Sequence, residues 1–382
     1  MKRVGIEGSP LFGNRTGIGQ LAKRLTEAVS RLESDTKFEV IRFWLPFKKF
    51  TAPVAPNSHL SYRLIKWFPP AVYFQIFKRL GWFLPYDAVA LRRYDTLLFY
   101  NFVTFPVRKN TKAVVFIHDL SFIYFSQYTQ HKNLPYMQKF VPYSVEHSSH
   151  IITISESTKN QIIEHYKADP AKISIINPAV DNTVYYPRPA KEIAAVRRKY
   201  GLPKKYILYA GTLEPRKNIE GILRAYADLD SKIKSRYGLV LAGGRGWKDE
   251  SIIRTMDKLK KNGENILHTG YVPDEDFPAI YSGAELFVYP SHYEGFGIPL
   301  LEAMACGVPV ISADNTSLPE VVGSAGLYVK ADDTAGMTML MERVLSSSKL
   351  ANDLRRRGLA QAKKFNWEKS AEELIKVLDN LG

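Results

Sequence analysis

Ser291-His-Tyr-Glu294-Gly-Phe-Gly-Ile-Pro-Leu-Leu-Glu302 is the stretch on which the reading of this chain turns. Before it, residues 286–289 (Leu-Phe-Val-Tyr) form a short apolar run suited to a buried strand. A glycine-rich loop follows. Pro299 then suits the first turn of a helix, where its missing N–H is harmless. Strand, loop and helix make one α/β unit. The backbone N–H groups of Gly295, Phe296, Gly297 and Ile298 fall at the helix N-terminus, where anions bind well. Glu294 precedes the helix, and Glu302 lies inside its beginning. An ionised Glu302 accepts two hydrogen bonds and suits a ribose diol. The plainer alternative is a helix whose dipole favours acidic residues near its start.

The same alternation extends in both directions. Strands are predicted over 3–7, 38–45, 96–100, 113–118 and 151–154, and a helix opens at Gly17-Ile-Gly19. Ser155-Glu-Ser-Thr is an N-cap signal for a helix running to about Tyr166. Asn177-Pro-Ala-Val-Asp181 and the Pro- and charge-rich stretch to Pro203 read as a boundary. Further strands are predicted over 206–211, 238–242, 265–269, 308–312 and 326–329. Repeated βα units in both halves imply two α/β domains with mostly parallel sheets, 1–180 and 181–365. Such sheets bind ligands beyond the carboxyl ends of their strands.

Other motifs fall at those ends. Gly211-Thr-Leu-Glu-Pro-Arg216-Lys217-Asn218 follows the first strand of the second half. Arg216 can bind two phosphate oxygens, and Lys217 adds a point charge, so the pair suits a diphosphate. A solvated turn is the alternative. Gly243-Gly-Arg-Gly246 is a weaker signal of the same kind. Gly17-Ile-Gly19-Gln-Leu-Ala22 has the form G-x-G-x-x-A, but the second strand ends Arg42-Phe-Trp-Leu45, without the acid a nicotinamide enzyme uses for ribose. Gly17 and Gly19 therefore read as a close-approach loop or simply a glycine-rich helix start. His118-Asp119 ends a strand, where a histidine is either functional or hydrogen-bonded in the core. Glu146, His147 and His150 make a poor metal set, and no D-x-D pair follows a strand.

Composition limits the remainder. The 382 residues carry a net charge of +15, with 45% apolar and 24% charged residues, an ordinary globular mix. Residues 1–180 hold 24 basic and 12 acidic side chains, whereas 181–382 hold 29 and 26. The excess charge lies in the first half and calls for an anionic partner. The single Cys306 excludes an internal disulfide and fits a reducing compartment. The N-terminus lacks a signal-peptide core, and no apolar run reaches about 18 residues. A cytoplasmic protein is expected, with a peripheral place on the inner face of the cell membrane left open. Residues 62–84 interleave Arg63, Lys66, Lys78 and Arg79 with Trp67, Phe68, Tyr73, Phe74, Phe77, Trp82 and Phe83. They suit either a membrane interface or helices packed on the first domain.

These motifs resemble the family-4 retaining glycosyltransferases of the GT-B fold. The similarity is strongest at 211–218 and 270–327, including the E-x7-E pair Glu294/Glu302 and Ser317-Leu-Pro-Glu-Val-Val322. Weaker echoes lie at 16–19, 115–120, 153–158 and 177–181. Asn177-Pro-Ala-Val-Asp181 departs from the family's usual boundary, where a Gly often replaces Pro-Ala. The resemblance implies an α/β chain of two Rossmann-like domains with parallel sheets facing across a cleft. Domain 1–180 would bind acceptor and 181–365 the nucleotide sugar, with a C-terminal helix over 366–382 crossing back.

Arg216 and Lys217 would stabilise the departing diphosphate, with Glu294 and the 295–298 amides at the donor sugar. Glu302 would hold the ribose, and main chain around Tyr271–Val272, with Leu301, would contact the base. Gly17 and Gly19 would approach the diphosphate, His118 would face the reacting sugar, and Gly211 would shape the donor loop. Catalytic roles thus fall to His118, Glu294, Arg216 and Lys217. No metal and no cofactor are expected, and front-face attack lets the donor phosphate take the acceptor proton.

Thr16-Gly-Ile-Gly19 with His118-Asp-Leu120 looks most like mannosyltransferases of surface-polysaccharide pathways. GDP-mannose is the favoured donor and a lipid-linked or membrane-proximal saccharide the favoured acceptor. UDP-glucose, UDP-galactose and UDP-N-acetylglucosamine remain alternatives. A basic nucleic-acid-binding protein is a remote rival, since neither a nucleic-acid module nor a repeated basic stripe is present.

Overall fold

The computed structural model describes residues 2–12, 17–43, 59–80, 84–128 and 133–381. It divides into two compact units. The first takes in Met1–Tyr124, His131–Pro178 and Trp367–Gly382, and the second Phe125–Gln130 and Ala179–Asn366.

The first unit is built on seven parallel strands: β1 (Lys2–Glu7), β2 (Thr36–Phe43), β3 (Leu60–Ile65), β4 (Thr96–Phe99), β5 (Lys112–Ile117), β6 (His150–Thr153) and β7 (Ile173–Ile175). Their order is β3-β2-β1-β4-β5-β6-β7. Strands β4 and β5 read Thr-Leu-Leu-Phe and Lys-Ala-Val-Val-Phe-Ile, buried except at Lys112. Such near-continuous apolar runs are what a sheet covered on both faces requires. Ser155 caps the helix Glu156–Tyr166, its hydroxyl accepting the Thr158 N–H at 3.1 Å, as the sequence predicts. The sequence reading passes over β3 and β7. Strand β3 lies at the sheet edge and is buried only at Leu60 and Ile65, and β7 has only three residues, so neither makes a strong apolar signal.

The last helix, Trp367–Asn380, belongs to the first unit and packs on the helix Gly17–Arg31. Ala371, Leu374 and Leu378 are fully buried there. Ser370 Oγ donates to the Asn177 carbonyl at 2.7 Å, and Lys2 Nζ to that of Leu378.

The second unit holds six parallel strands: β8 (Tyr206–Ala210), β9 (Gly238–Ala242), β10 (Ile266–Gly270), β11 (Leu286–Tyr289), β12 (Val310–Ala313) and β13 (Leu327–Val329). The order β10-β9-β8-β11-β12-β13 is that of a dinucleotide-binding sheet. Residues 125–128 group with this unit, although the reading by halves assigns them to the first. Phe125 packs on Tyr293 with ring centroids 5.3 Å apart, and Trp247 Nε1 donates to the Tyr128 carbonyl at 2.5 Å.

Part of the stretch 62–84 packs on the first unit, as one of its two readings has it. On the helix Pro70–Leu80, Tyr73 and Phe77 are fully buried, Phe77 packing 4.7 Å from Phe140. Trp67, Val72, Leu80 and Leu84 are exposed, as are Lys66, Lys78 and Arg79. Trp82 and Phe83 lie outside the described residues, as do Thr16 and Leu45.

Candidate active site

The strand order changes direction between β8 and β11, and ligands of open parallel sheets bind at such a switch point. The loops leaving these two strands carry the charged motifs. After β8, Gly211 turns the chain with φ +143°, and residues Pro215–Lys217 form one tight turn. Asn218 follows in a left-handed conformation. It caps the next helix through the Gly221 N–H and donates to the Ala331 carbonyl at 2.6 Å. That double anchor holds Arg216 and Lys217 over the end of the sheet.

Lys217 Nζ donates to Glu294 Oε1 at 2.5 Å and to the Tyr289 hydroxyl at 2.7 Å. Arg216 Nη1 lies 3.2 Å from Glu294 Oε2, and its Nη2 bonds Glu214 Oε1 at 2.7 Å. All four charged side chains are largely buried. Burial alone raises the Glu294 pKa, but Lys217 and Arg216 more than offset it and hold the carboxyl at about 2. Burial lowers the Lys217 pKa, opposed by Glu294. Two cations and two carboxylates thus neutralise one another. The sequence reading paired the cations with a ligand; Glu214 and the Tyr289 hydroxyl are the partners it missed.

The loop after β11 is clamped. Ser317 Oγ donates to the Glu294 and Phe296 carbonyls at 3.0 and 2.9 Å. Gly295, Phe296 and Gly297 are buried, and Phe296 packs on Phe365 at 5.7 Å. Gly297 takes φ +115° immediately before the helix Ile298–Ala305, and a Cβ there would lie 2.8 Å from Leu318 Cδ2. Only glycine fits such a position without strain. Ile298 starts the helix one residue before the expected Pro299.

Glu302 faces a separate environment. Tyr281 donates to its Oε2 at 2.9 Å, and Tyr185 bonds it as well. Burial raises its pKa to about 7, with the two tyrosines pulling the other way. Leu301 and Val272 are buried, whereas Tyr271 is exposed. Burial pushes the Cys306 thiol up to about 12, which keeps it unreactive.

Gly243 and Gly246 have a steric role. A Cβ on Gly243 would lie 2.2 Å from the Gly211 carbonyl oxygen, and one on Gly246 2.5 Å from that of Leu213. These glycines let the loops after β8 and β9 touch.

In the first unit, His118 follows β5 and is buried. A ring nitrogen, Nε2, lies 2.6 Å from the Tyr100 carbonyl oxygen, so it carries the proton and donates. Burial lowers the pKa. The imidazole is therefore neutral, with Nδ1 an acceptor. Phe102, held at φ +58°, packs edge-on against it at 5.2 Å. Gly17 is exposed at the start of its helix, with open space where a Cβ would stand, and Gly19 is half-buried. Among the described residues no three His, Cys, Asp or Glu side chains converge as metal ligands.

The chain matches known proteins along both units. Residues 20–184 match the model of Glycosyltransferase Family 4, and 192–361 that of Glycosyl transferases group 1. The O-antigen chain mannosyltransferase B of Escherichia coli is 38% identical over 290 residues, 76% of each chain. A serotype-specific mannosyltransferase, WbdA of Escherichia coli, is 33% identical over 248 residues, 64% of this chain but 30% of that longer one. The structure of a sucrose-phosphate synthase from Thermosynechococcus elongatus superposes with a TM-score of 0.72, covering 100% and 99% of the two chains at 20% identity. With both sheets parallel and both units matched, the chain belongs to the family-4 glycosyltransferases and has their GT-B fold.

Proposed function

We propose that this glycosyltransferase moves mannose from GDP-mannose, with retention of configuration, onto a saccharide carried by a lipid at an anionic membrane face. The observation that carries the reading is the cation pair Arg216–Lys217 joined to Glu294 at the switch point of the second sheet. The choice of mannose is supported by the relative that is 38% identical over 290 residues, a mannosyltransferase by name.

In this reading the donor diphosphate takes Arg216 and Lys217 from Glu294, and the released carboxylate turns to the sugar hydroxyls. The C1–O bond to phosphate breaks, the acceptor oxygen bonds C1 on the same face, and the acceptor proton passes to the leaving phosphate. Charge on that phosphate grows in the transition state, so the two cations accelerate the reaction as well as bind. They supply the counter-charge that a metal provides elsewhere. Glu302 holds the ribose, Val272 and Leu301 border the base, and His118 accepts a hydrogen bond from the sugar. Gly17 and Gly19 approach the diphosphate.

The membrane part rests on the exposed Trp67, Val72, Leu80 and Leu84 among Lys66, Lys78 and Arg79. Among the described residues no helix is long and apolar enough to cross a bilayer, so attachment would be peripheral.

The test is a panel of nucleotide sugars. GDP-mannose should show the tightest binding and slow hydrolysis. A preference for UDP-glucose, UDP-galactose or UDP-N-acetylglucosamine would move the assignment to that donor, and binding of none would remove it.

A further inference from the structure

The first unit has a cleft at the opposite end of its sheet from His118. It encloses about 520 Å³ and is lined by Arg3, Arg93, Asp95, Arg108, Lys109 and Thr111, among others. Arg3 is the second residue of β1, Asp95 immediately precedes β4, and Thr111 immediately precedes β5. The cleft therefore sits at the amino ends of these strands. His118 lies past the carboxyl end of β5, roughly 23 Å from Thr111 at the usual rise of a parallel strand.

Four cations and one carboxylate line this space, and the carboxylate is occupied. Asp95 Oδ2 accepts the Arg3 N–H at 2.7 Å. Among the described residues, Arg3, Arg93 and Lys109 have no carboxylate within ion-pair distance. Arg108 is held from behind by the fully buried Asp87. Its N–H donates to Asp87 Oδ1 at 3.1 Å, and its guanidinium donates to the Arg92 carbonyl at 3.3 Å. Buried Thr111 donates to the same Asp87 at 3.0 Å. The loop bearing Arg108 and Lys109 is thus tied to the core, with Arg108 Nε 4.0 Å from Asp87 Oδ2 and both residues lining the cleft. Register places Lys37 opposite Arg3, and Lys112 opposite Thr96, adding positive charge at the same ends of the strands.

The volume is that of a small-ligand site, but the lining is polar and cationic rather than apolar. Guanidinium groups around a compact space match the oxygens of a phosphate group, which they bind bidentately. We infer that this cleft is a phosphate-binding site separate from the donor site, for a phosphomonoester or diphosphate. It accounts for part of the charge excess of residues 1–180, and it stands whether or not the proposed donor is correct.

The test uses the full chain at low salt, with Lys217→Ala in place to weaken diphosphate binding at the donor loop. Inorganic pyrophosphate is titrated calorimetrically into this variant and into one also carrying Arg93→Glu and Lys109→Glu. Arg93→Gln with Lys109→Gln serves if the reversed charges disturb the thermal transition. A control pair, Lys363→Glu with Lys364→Glu, makes the same change of net charge elsewhere. Cosedimentation with phosphatidylcholine vesicles containing phosphatidic acid forms a second arm. At least tenfold weaker pyrophosphate binding in the cleft variant, and not in the control, is expected and points to a soluble phosphorylated ligand. A selective loss of vesicle binding alone supports the site with a lipid headgroup as the source of phosphate. Equal losses in cleft and control variants, or losses in neither arm, overturn the inference.

Discussion

Lys217 and Glu294 stand 77 residues apart and meet at 2.5 Å over the junction of β8 and β11, with the Tyr289 hydroxyl bonded to both. Their contact makes an internal ion pair out of two groups expected to serve a ligand. Removing one partner of a largely buried pair leaves the other charge poorly compensated. Lys217→Ala should therefore lower the unfolding free energy by about 3 kcal/mol and cut transfer by about 10²–10³-fold. Adding Glu294→Gln should restore stability but not transfer. Denaturant unfolding beside a transfer assay reads both, and a Lys217→Ala chain with unchanged transfer would remove the site assignment.

Glu302 sets a pH dependence. Its pKa of about 7 exceeds the ordinary carboxylate value, so between those two pH values the folded chain binds more protons than the unfolded one. Stability from this group is greatest at low pH and is lost as pH rises towards 7. A ribose diol donates to the ionised carboxylate and pulls the pKa down. Nucleotide binding should then release a proton near pH 6.5 and tighten as pH rises through 7. Calorimetry in buffers of different ionisation enthalpy measures that release, and Glu302→Gln should abolish it.

Glu294 runs the other way. Held at about 2, it contributes stability above the ordinary carboxylate pKa, which is lost as pH falls towards 2. In Glu294→Gln the acid arm of the stability curve should flatten, as monitored by thermal unfolding between pH 5 and 3.

Gly17 and Gly297 should respond differently to alanine. Nothing stands within 4 Å of a Cβ on Gly17, and the residue is helical. Gly17→Ala should leave the melting temperature unchanged or raise it slightly while raising KM for the donor, since only a ligand would meet the added methyl. Gly297→Ala, with positive φ and a 2.8 Å contact, should lower both stability and kcat.

The exposed Lys66, Trp67, Val72, Lys78, Arg79, Leu80 and Leu84 should bind anionic vesicles. Lys78→Glu with Arg79→Glu should weaken cosedimentation at least fivefold at low salt, and Trp67→Ser should weaken it at high salt too. Binding unchanged in both would leave this surface without a membrane role.

The two sheets were legible because βα units put turn-forming motifs after apolar runs, and Glu294, Glu302, Arg216 and Lys217 all fall on such turns or just beyond. What surrounds them was not legible. The hydroxyls of Tyr289, Tyr281 and Tyr185 come from a strand, a helix and a loop that no local pattern links to the carboxylates they bond. Charge neutralisation by Glu214 depends on the tight turn at Pro215, which spacing alone does not reveal. The phosphate cleft gathers Arg3 with Arg108 across more than a hundred residues, joined only by sheet order.

The helix Trp367–Asn380 ties the order of synthesis to the order of folding. Its buried Ala371, Leu374 and Leu378 close the core of the unit that begins at β1. A nascent chain exposes the apolar stripe of the helix Gly17–Arg31 until residues more than 300 positions later leave the ribosome. The second unit, bounded by residues already translated, can finish first. The half of the enzyme made earliest is therefore the half completed last, and it is the one that needs protection in the interval.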